Sequence, residues 1–327
     1  MTVSRSGKAR PLERASGLRG VCGPSIAESP LSASADLSRP PLIELIAGPT
    51  ASGKSALAMA RARDTGAVII NADSQQLYAD LRVLTARPSV EDEAEIEHRL
   101  YGVADAGDAW SVGRWSRAVM PVLAELADAE RPALLVGGTG LYFAALTKGL
   151  ADIPDVPVEV RDGVEVALAT EGETGFRRRL SELDPQAASR IEAGDRQRLI
   201  RAMSVAEHTG RALSDWSADT TPLLPPGSWT GSIVEPDRAA LYARCDRRVE
   251  SMIERGALDE VQALLGRNLD PTLPAMKAVG VRELWAHLQA DSTLEQALTA
   301  TQQATRNYAK RQLTWFRNQT ADWPRAV

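Results

Sequence analysis

Eight consecutive residues, Gly48-Pro-Thr-Ala-Ser-Gly-Lys-Ser55, carry the chemistry around which the chain is organised. They fit G-x-x-x-x-G-K-[ST], a pattern in which backbone N–H groups converge on phosphate oxygens at a helix N-terminus. Gly48 and Gly53 let the backbone curl, with Pro49, Thr50, Ala51 and Ser52 between them. Lys54 adds a point charge, and the Ser55 hydroxyl is of the type that ligates Mg²⁺ beside a phosphate. Asp73 follows the apolar run Ala67–Ile70, at the strand end where open α/β sheets gather their reacting groups. Arg244 and Arg248 stand four residues apart in a predicted helix starting near Arg238, so both guanidinium groups face one way. Two such forks suit a diphosphate. These residues point to a phosphate compound and leave its identity open, with a kinase of small metabolites as one reading.

A nucleotide hydrolase ends a neighbouring strand in an acidic residue that holds Mg²⁺. Here the run beginning at Pro132 ends in Gly137-Gly138-Thr139. The two glycines suggest close approach by a ligand, and Thr139 offers a hydroxyl at a helix start. The histidines, His98, His208 and His287, are scattered, and Cys22 and Cys245 lie in no metal-ligand spacing, so neither a zinc site nor a disulfide framework is expected.

The elements that must position these groups are legible from periodicity. Leu42–Ala47 reads as a strand leading into the loop, and SALAMARAR as the helix leaving it, capped by Gly66. EDEAEIEHRL reads as an acidic, solvated helix. Val112, Trp115, Val119, Leu123 and Leu126 mark an amphipathic helix, with Trp115 as core. Residues 1–40, rich in Ser, Arg, Gly and Pro without periodicity, read as a disordered extension. Core segments are expected at 41–150 and 229–327, with a mostly helical insertion at 151–228, where the composition shifts to Ala, Leu, Arg and Glu. Basic clusters at Arg177 to Arg179 and Arg196 to Arg201 read as solvated faces or nucleic-acid contacts. Tyr308, Trp315 and Phe316 of the last helix are expected to pack on the sheet. The net charge of −5 does not advertise a nucleic-acid binder, although it can hide a local basic face. No run approaches the length of a membrane span, and the default setting is a reducing cytoplasm, with no warrant for an oligomer and a monomer expected.

GPTASGKS, NADSQQLY, LTARPS, LLVGGTGLYF, DRQRLIRA, KAVGVRE and TRNYAKRQLTWFR occur in this order, and together they resemble the tRNA dimethylallyltransferases of bacterial type. The resemblance spans about residues 42–317. It implies an α/β fold, with a phosphate-loop NTPase-like parallel sheet and a helical insertion. It also implies transfer of a dimethylallyl group from its diphosphate to the exocyclic amine of adenosine 37 in tRNAs that read codons starting with U. Carried over by position, Asp73 is the general base and Thr50 binds the bridging oxygen of the diphosphate. Gly48, Pro49, Thr50, Ala51, Ser52, Gly53, Lys54, Ser55 with Mg²⁺, and Arg248 hold the diphosphate. The tRNA-contacting positions are Asp73, Ser74, Gln75, Gln76, Thr139, Arg161, Gln197, Arg198, Leu199, Ile200, Arg201, Lys277, Ala278, Val279, Gly280, Val281 and Arg282. Leu84-Thr-Ala-Arg-Pro88 stands where the family usually has Gly-Thr-Ala-Lys-Pro, a change that keeps the cation, and Val281 stands for the usual tyrosine, which puts stacking at 281 in doubt. A tRNA-binding protein with a vestigial loop is the non-enzymatic alternative.

Overall fold

The structure is a computed structural model and describes residues 42–326. The expectations for residues 1–40 and Cys22 lie outside the described residues.

Six strands form one parallel sheet in the order β3-β2-β4-β1-β5-β6. The central strands are β1 (Ile43–Ala47), β2 (Val68–Asn71) and β4 (Ala133–Gly137), and apart from Glu44 every residue in them is buried. That is why they read as unbroken apolar runs, since helices cover both faces of a parallel sheet. β1 pairs with β4 on one side (Ile46 opposite Val136) and with β5 (Trp229–Val234) on the other. β6 (Arg325–Ala326) closes that edge. At the other edge, β3 (His98–Arg99) is a correction to the acidic helix read from EDEAEIEHRL. The helix α2 (Val90–Glu95) stops at Glu95, with a capping box from Ser89 and Asp92, and the chain extends to pair His98 with Ile69.

Helix α1 (Lys54–Thr65) leaves the loop from Gly53 (φ 99°) and ends at Gly66, whose N–H donates to the Ala62 carbonyl. Helix α3 (Val112–Asp128) buries Trp115, whose ring stacks on Tyr142 of α4 (Gly140–Thr147) at 4.1 Å. The Trp115 Nε1 donates to the Asn71 carbonyl at 2.9 Å, fixing the end of β2 where Asp73 emerges.

The helical segment comprises α5 (Val158–Leu183), α6 (Pro185–Arg190), α7 (Arg196–Thr209) and α8 (Leu213–Ala218). Helix α5 breaks at Gly172, whose φ of 70° a side-chain-bearing residue rarely adopts. These helices bury a core of their own, including Val164, Leu168, Phe176, Leu180, Leu199 and Met203. Asp184 is fully buried and ties the segment together, its carboxylate accepting from the Ala187 and Ser214 N–H groups and the Ser214 hydroxyl.

The chain returns through β5 to α9 (Arg238–Glu254), α10 (Ala257–Gly266), α11 (Val281–Leu288) and the long α12 (Leu294–Gln319). Helices α9 and α12 pack against the phosphate loop, where Ala51, Leu241, Cys245, Ala309 and Leu313 form one apolar cluster. No helix among the described residues is long and apolar enough to cross a membrane.

Candidate active site

The loop after β1 curls as its glycines require. Gly53 has a left-handed backbone, and a Cβ on Gly48 would lie 2.7 Å from the Val234 carbonyl. Lys54 is buried, and its Nζ donates to the Pro49 carbonyl at 3.2 Å. Burial is the largest influence on this amine and lowers its pKa to about 8. The charge of Asp73 opposes that shift and the charge of Arg248 adds to it. A lysine held so close to neutrality gains from an anion beside it. Ser55 is exposed in the first turn of α1.

The two arginines of α9 reach this loop. Arg244 Nη1 donates to the Ser52 carbonyl at 3.3 Å, and Arg248 Nη1 donates to Thr50 Oγ1 at 3.2 Å. Burial lowers the Arg248 pKa, so this cation too lacks solvation that a diphosphate would restore. Arg248 lines a narrow cavity together with Thr50, Asp73, Met252, Val279 and Tyr308. It also lines an adjoining cavity of about 240 Å³ that reaches Ser55, Arg87 and Tyr101.

Asp73 is 8% exposed and held in a tight turn. Its N–H donates to Asn71 Oδ1 at 2.8 Å, and Oδ1 of its carboxylate accepts the Gln75 N–H at 3.0 Å. Asn71 Nδ2 in turn donates to the Asp73 and Leu100 carbonyls. Among the described residues Asp73 Oδ2 accepts no hydrogen bond, so one carboxylate oxygen is left for a substrate. Thr139, at the start of α4, accepts the Ser74 N–H at 2.9 Å and donates to the Ser74 hydroxyl. Tyr308 stands beside Thr139, and burial, followed by the Asp73 charge, raises its pKa. Its hydroxyl therefore stays protonated and able to donate.

Several expectations need correction. Gly137 and Gly138 make room for the protein itself. A Cβ on Gly137 would sit 1.9 Å from the Ala72 carbonyl oxygen, and one on Gly138 would sit 2.1 Å from Gln312 Nε2. Tyr308 lies in the cavity and does not pack on the sheet, whereas Phe316 is fully buried as expected. Among the tRNA-contacting positions, Leu199 is fully buried in the helical segment's core, and Ala278 and Val281 are buried too, so their side chains are not available to a partner. Ile200 packs partly against the same core as Leu199. The Gln76 amide is committed to the Thr85 and Ala86 carbonyls. Gln75 faces the cavity and accepts the Val279 N–H at 3.4 Å. Gly280 adopts φ 97°, and a Cβ there would lie 2.9 Å from Leu84.

Arg161, Gln197, Arg198, Arg201, Lys277 and Arg282 are all exposed. Arg198 pairs with Asp195, while Arg201 makes no ion pair among the described residues. Of the other basic cluster, Arg177 is spent on the Ala188 and Ile191 carbonyls and Arg179 on Glu171. Arg87 is likewise structural, donating to the Tyr78 and Ala79 carbonyls from above Gly102, where a Cβ would meet its guanidinium at 2.2 Å. Lys277, Arg282, Trp285, Asn307 and Arg311 line an open groove that shares Val279 with the Asp73 cavity.

Sequence reasoning missed Gln312, Asn71 and Glu260. The Glu260 carboxylate accepts the N–H groups of Arg82, Val83 and Leu84, which places Leu84 and Thr85 on the cavity wall. Only Asn71 carried a local signal, as an amide ending an apolar run at the sheet's C-terminal edge.

The chain matches the IPP transferase family over residues 76–319 and the isopentenyl transferase family over 41–106. It is 58% identical over 283 residues to a tRNA dimethylallyltransferase of Caulobacter sp. (strain K31), spanning 86% of this chain and 92% of that protein. Among solved structures, it resembles the full-length tRNA isopentenylpyrophosphate transferase of Bacillus halodurans. The TM-score is 0.62 at 30% identity, over 87% of this chain and 89% of that one. A eukaryotic dimethylallyltransferase acting on tRNA shares the fold, with a TM-score of 0.71 at 23% identity over 84% of this chain and 69% of that one. The chain belongs to the IPP transferase family.

Proposed function

We propose that the protein moves a dimethylallyl group from dimethylallyl diphosphate to the N6 amine of adenosine 37 in tRNA. The observation that carries this reading is the convergence of Asp73, Thr50 and Arg248 on one cavity beside the phosphate loop. A base, a hydroxyl and a cation then face a space bounded by phosphate-binding backbone.

The N6 lone pair attacks C1 of the dimethylallyl group as the bond from C1 to the bridging oxygen breaks. The electron pair of that bond leaves with the diphosphate, and the N6 proton passes to Asp73 Oδ2. An adenine amine is a poor nucleophile because its lone pair is delocalised into the ring, and removal of its proton by a positioned base is typically worth about 10²–10⁴ in rate. Thr50 Oγ1, which accepts a hydrogen bond from Arg248, keeps its own proton to donate to the bridging oxygen. Lys54, Arg248 and the loop N–H groups stabilise the charge that develops on the diphosphate.

Among the described residues no group of three or more His, Cys, Asp or Glu side chains is placed to hold a metal ion, so a Mg²⁺ ion would need the diphosphate as a further source of ligands. Ser55, an exposed residue at the first turn of α1, is the residue that fits it, and the ion would supply further neutralisation of the leaving group.

The target base must leave the anticodon-loop stack to reach a carboxylate that is 8% exposed, which makes this a base-flipping reaction. Unstacked loop nucleotides are also where RNA sequence is readable. Gln75 lines the cavity and Ser74, next to Asp73 in the chain, is hydrogen-bonded to Thr139, with Lys277 and Arg282 on the adjoining groove and Arg161, Gln197, Arg198 and Arg201 on the helical segment. We take the protein to act as a monomer in the cytoplasm. Incubation with unmodified tRNA and labelled dimethylallyl diphosphate tests the reading. Label should enter the tRNA, whereas ATP turnover without labelling would favour a metabolite kinase.

A further inference from the structure

Gln312 belongs to none of the roles assigned above, yet it is a buried polar side chain whose amide is committed at both ends. It is 5% exposed and projects from α12 between the phosphate loop and the end of β4. Its Oε1 accepts the Thr50 N–H at 2.8 Å, and its Nε2 donates to the Gly138 carbonyl at 2.9 Å. A flipped amide would set donor against donor and acceptor against acceptor, so only one orientation serves both contacts. Gly138 leaves room for this amide, and a Cβ at Gly138 would also stand 3.1 Å from Asp73 Oδ2. One amide thus joins the loop that carries Thr50 to the strand end that adjoins the base. Thr50 is held from two sides, its N–H by Gln312 and its hydroxyl by Arg248. Its N–H is therefore spent on the protein and not offered to a phosphate.

We propose that Gln312 is a positioning residue for prenyl transfer, acting through Thr50 to hold its hydroxyl in register with Asp73. This rests on the role given to Thr50 above. Released from the clamp, Thr50 gains the freedom of a loop residue, and a misplacement of about 1 Å at a reacting group costs up to about 10²-fold in rate.

The test is a double-mutant cycle on the full-length protein, read as single-turnover rate, KM for dimethylallyl diphosphate, tRNA Kd and Tm. Gln312→Met keeps the volume and removes both hydrogen bonds. It should lower the single-turnover rate by about 10- to 100-fold with little change in KM or in tRNA Kd. In a Thr50→Ala background the same substitution should cost almost nothing further, because residues acting as one unit are not additive. Gln312→Glu gives a second readout. Its protonated form can donate to the Gly138 carbonyl and accept the Thr50 N–H, so the ratio of its rate to wild type should rise as pH falls. Equal losses with and without the Thr50 hydroxyl, or a loss that vanishes once corrected for the folded fraction, would overturn the clamp and leave Gln312 as core packing. Full activity in Thr50→Ala alone would instead remove the reading beneath it.

Discussion

Raising the pH through 8 should loosen the enzyme's hold on dimethylallyl diphosphate, because the phosphate-loop lysine loses its proton in that window. Burial lowers the Lys54 pKa to about 8 in the free protein. The protonated form is the one that binds an anion, so affinity is present below this pH and lost above it. With a pKa near 8, about nine-tenths of the lysine is protonated at pH 7 and about one-tenth at pH 9, so affinity should fall about tenfold between the two. The ligand is not the source of the change, since phosphate esters lose their last proton near pH 6. Bound diphosphate pulls the lysine back to its charged form, so binding at pH 9 should take up close to one proton per site. Calorimetry at constant ionic strength, repeated in buffers of different ionisation enthalpy, measures both quantities. A flat affinity from pH 7 to 9 with no proton uptake would refute the argument. So would a Lys54→Met variant that keeps the wild-type slope, because the titrating group would then lie elsewhere.

Arg248→Ala should lower the rate of prenyl transfer by about 10²–10³, the usual cost of removing one donor aimed at developing charge. Arg248→Lys should not restore it, since an ammonium cannot reproduce the guanidinium fork; a rapid quench-flow comparison decides this. Arg201→Ala should weaken tRNA binding and reduce the slope of log K against log salt by about 0.7, as expected for one phosphate contact on a single strand. An unchanged slope would return Arg201 to solvent. Asp184→Ala removes the acceptor for two backbone N–H groups and a hydroxyl, and should destabilise the helical segment by about 2–4 kcal/mol, read by hydrogen exchange in α6 and α8. Burial pushes the Asp184 pKa up, but the hydrogen bonds from Ser214, Ala187 and Leu213 outweigh it and hold the pKa low. Its contribution is therefore fully present above the ordinary aspartate pKa and lost as pH falls through the lowered value.

Sequence local to each element carried most of this architecture. The phosphate loop, Asp73 at a strand end and the Arg244/Arg248 pair all depend on spacings of a few residues, and each lies where those spacings placed it. Gln312 was not legible, because its contact with Thr50 joins residues 262 positions apart and depends on how α12 crosses the loop. Tyr308 shares that cause: on the same helix, a rotation separates facing the sheet from facing the cavity. Strand β3 was hidden because two residues at a sheet edge leave no alternation to detect. Leu199 is different, since Leu199, Ala202, Met203 and Ala206 repeat at helical spacing and are all buried. The stripe was present in the sequence, and treating Gln197 to Arg201 as one contacting block obscured it.

The claim that Asp73 acts as the base for prenyl transfer is tested most directly by nucleoside mass spectrometry. Unmodified tRNA is incubated with dimethylallyl diphosphate and either the wild-type protein or Asp73→Asn, with tRNA affinity measured alongside. The wild type should yield N6-dimethylallyladenosine, and Asp73→Asn should bind tRNA equally while forming product about 10²–10⁴ times more slowly. Equal rates from the two proteins, or no modified nucleoside from the wild type, would contradict the account.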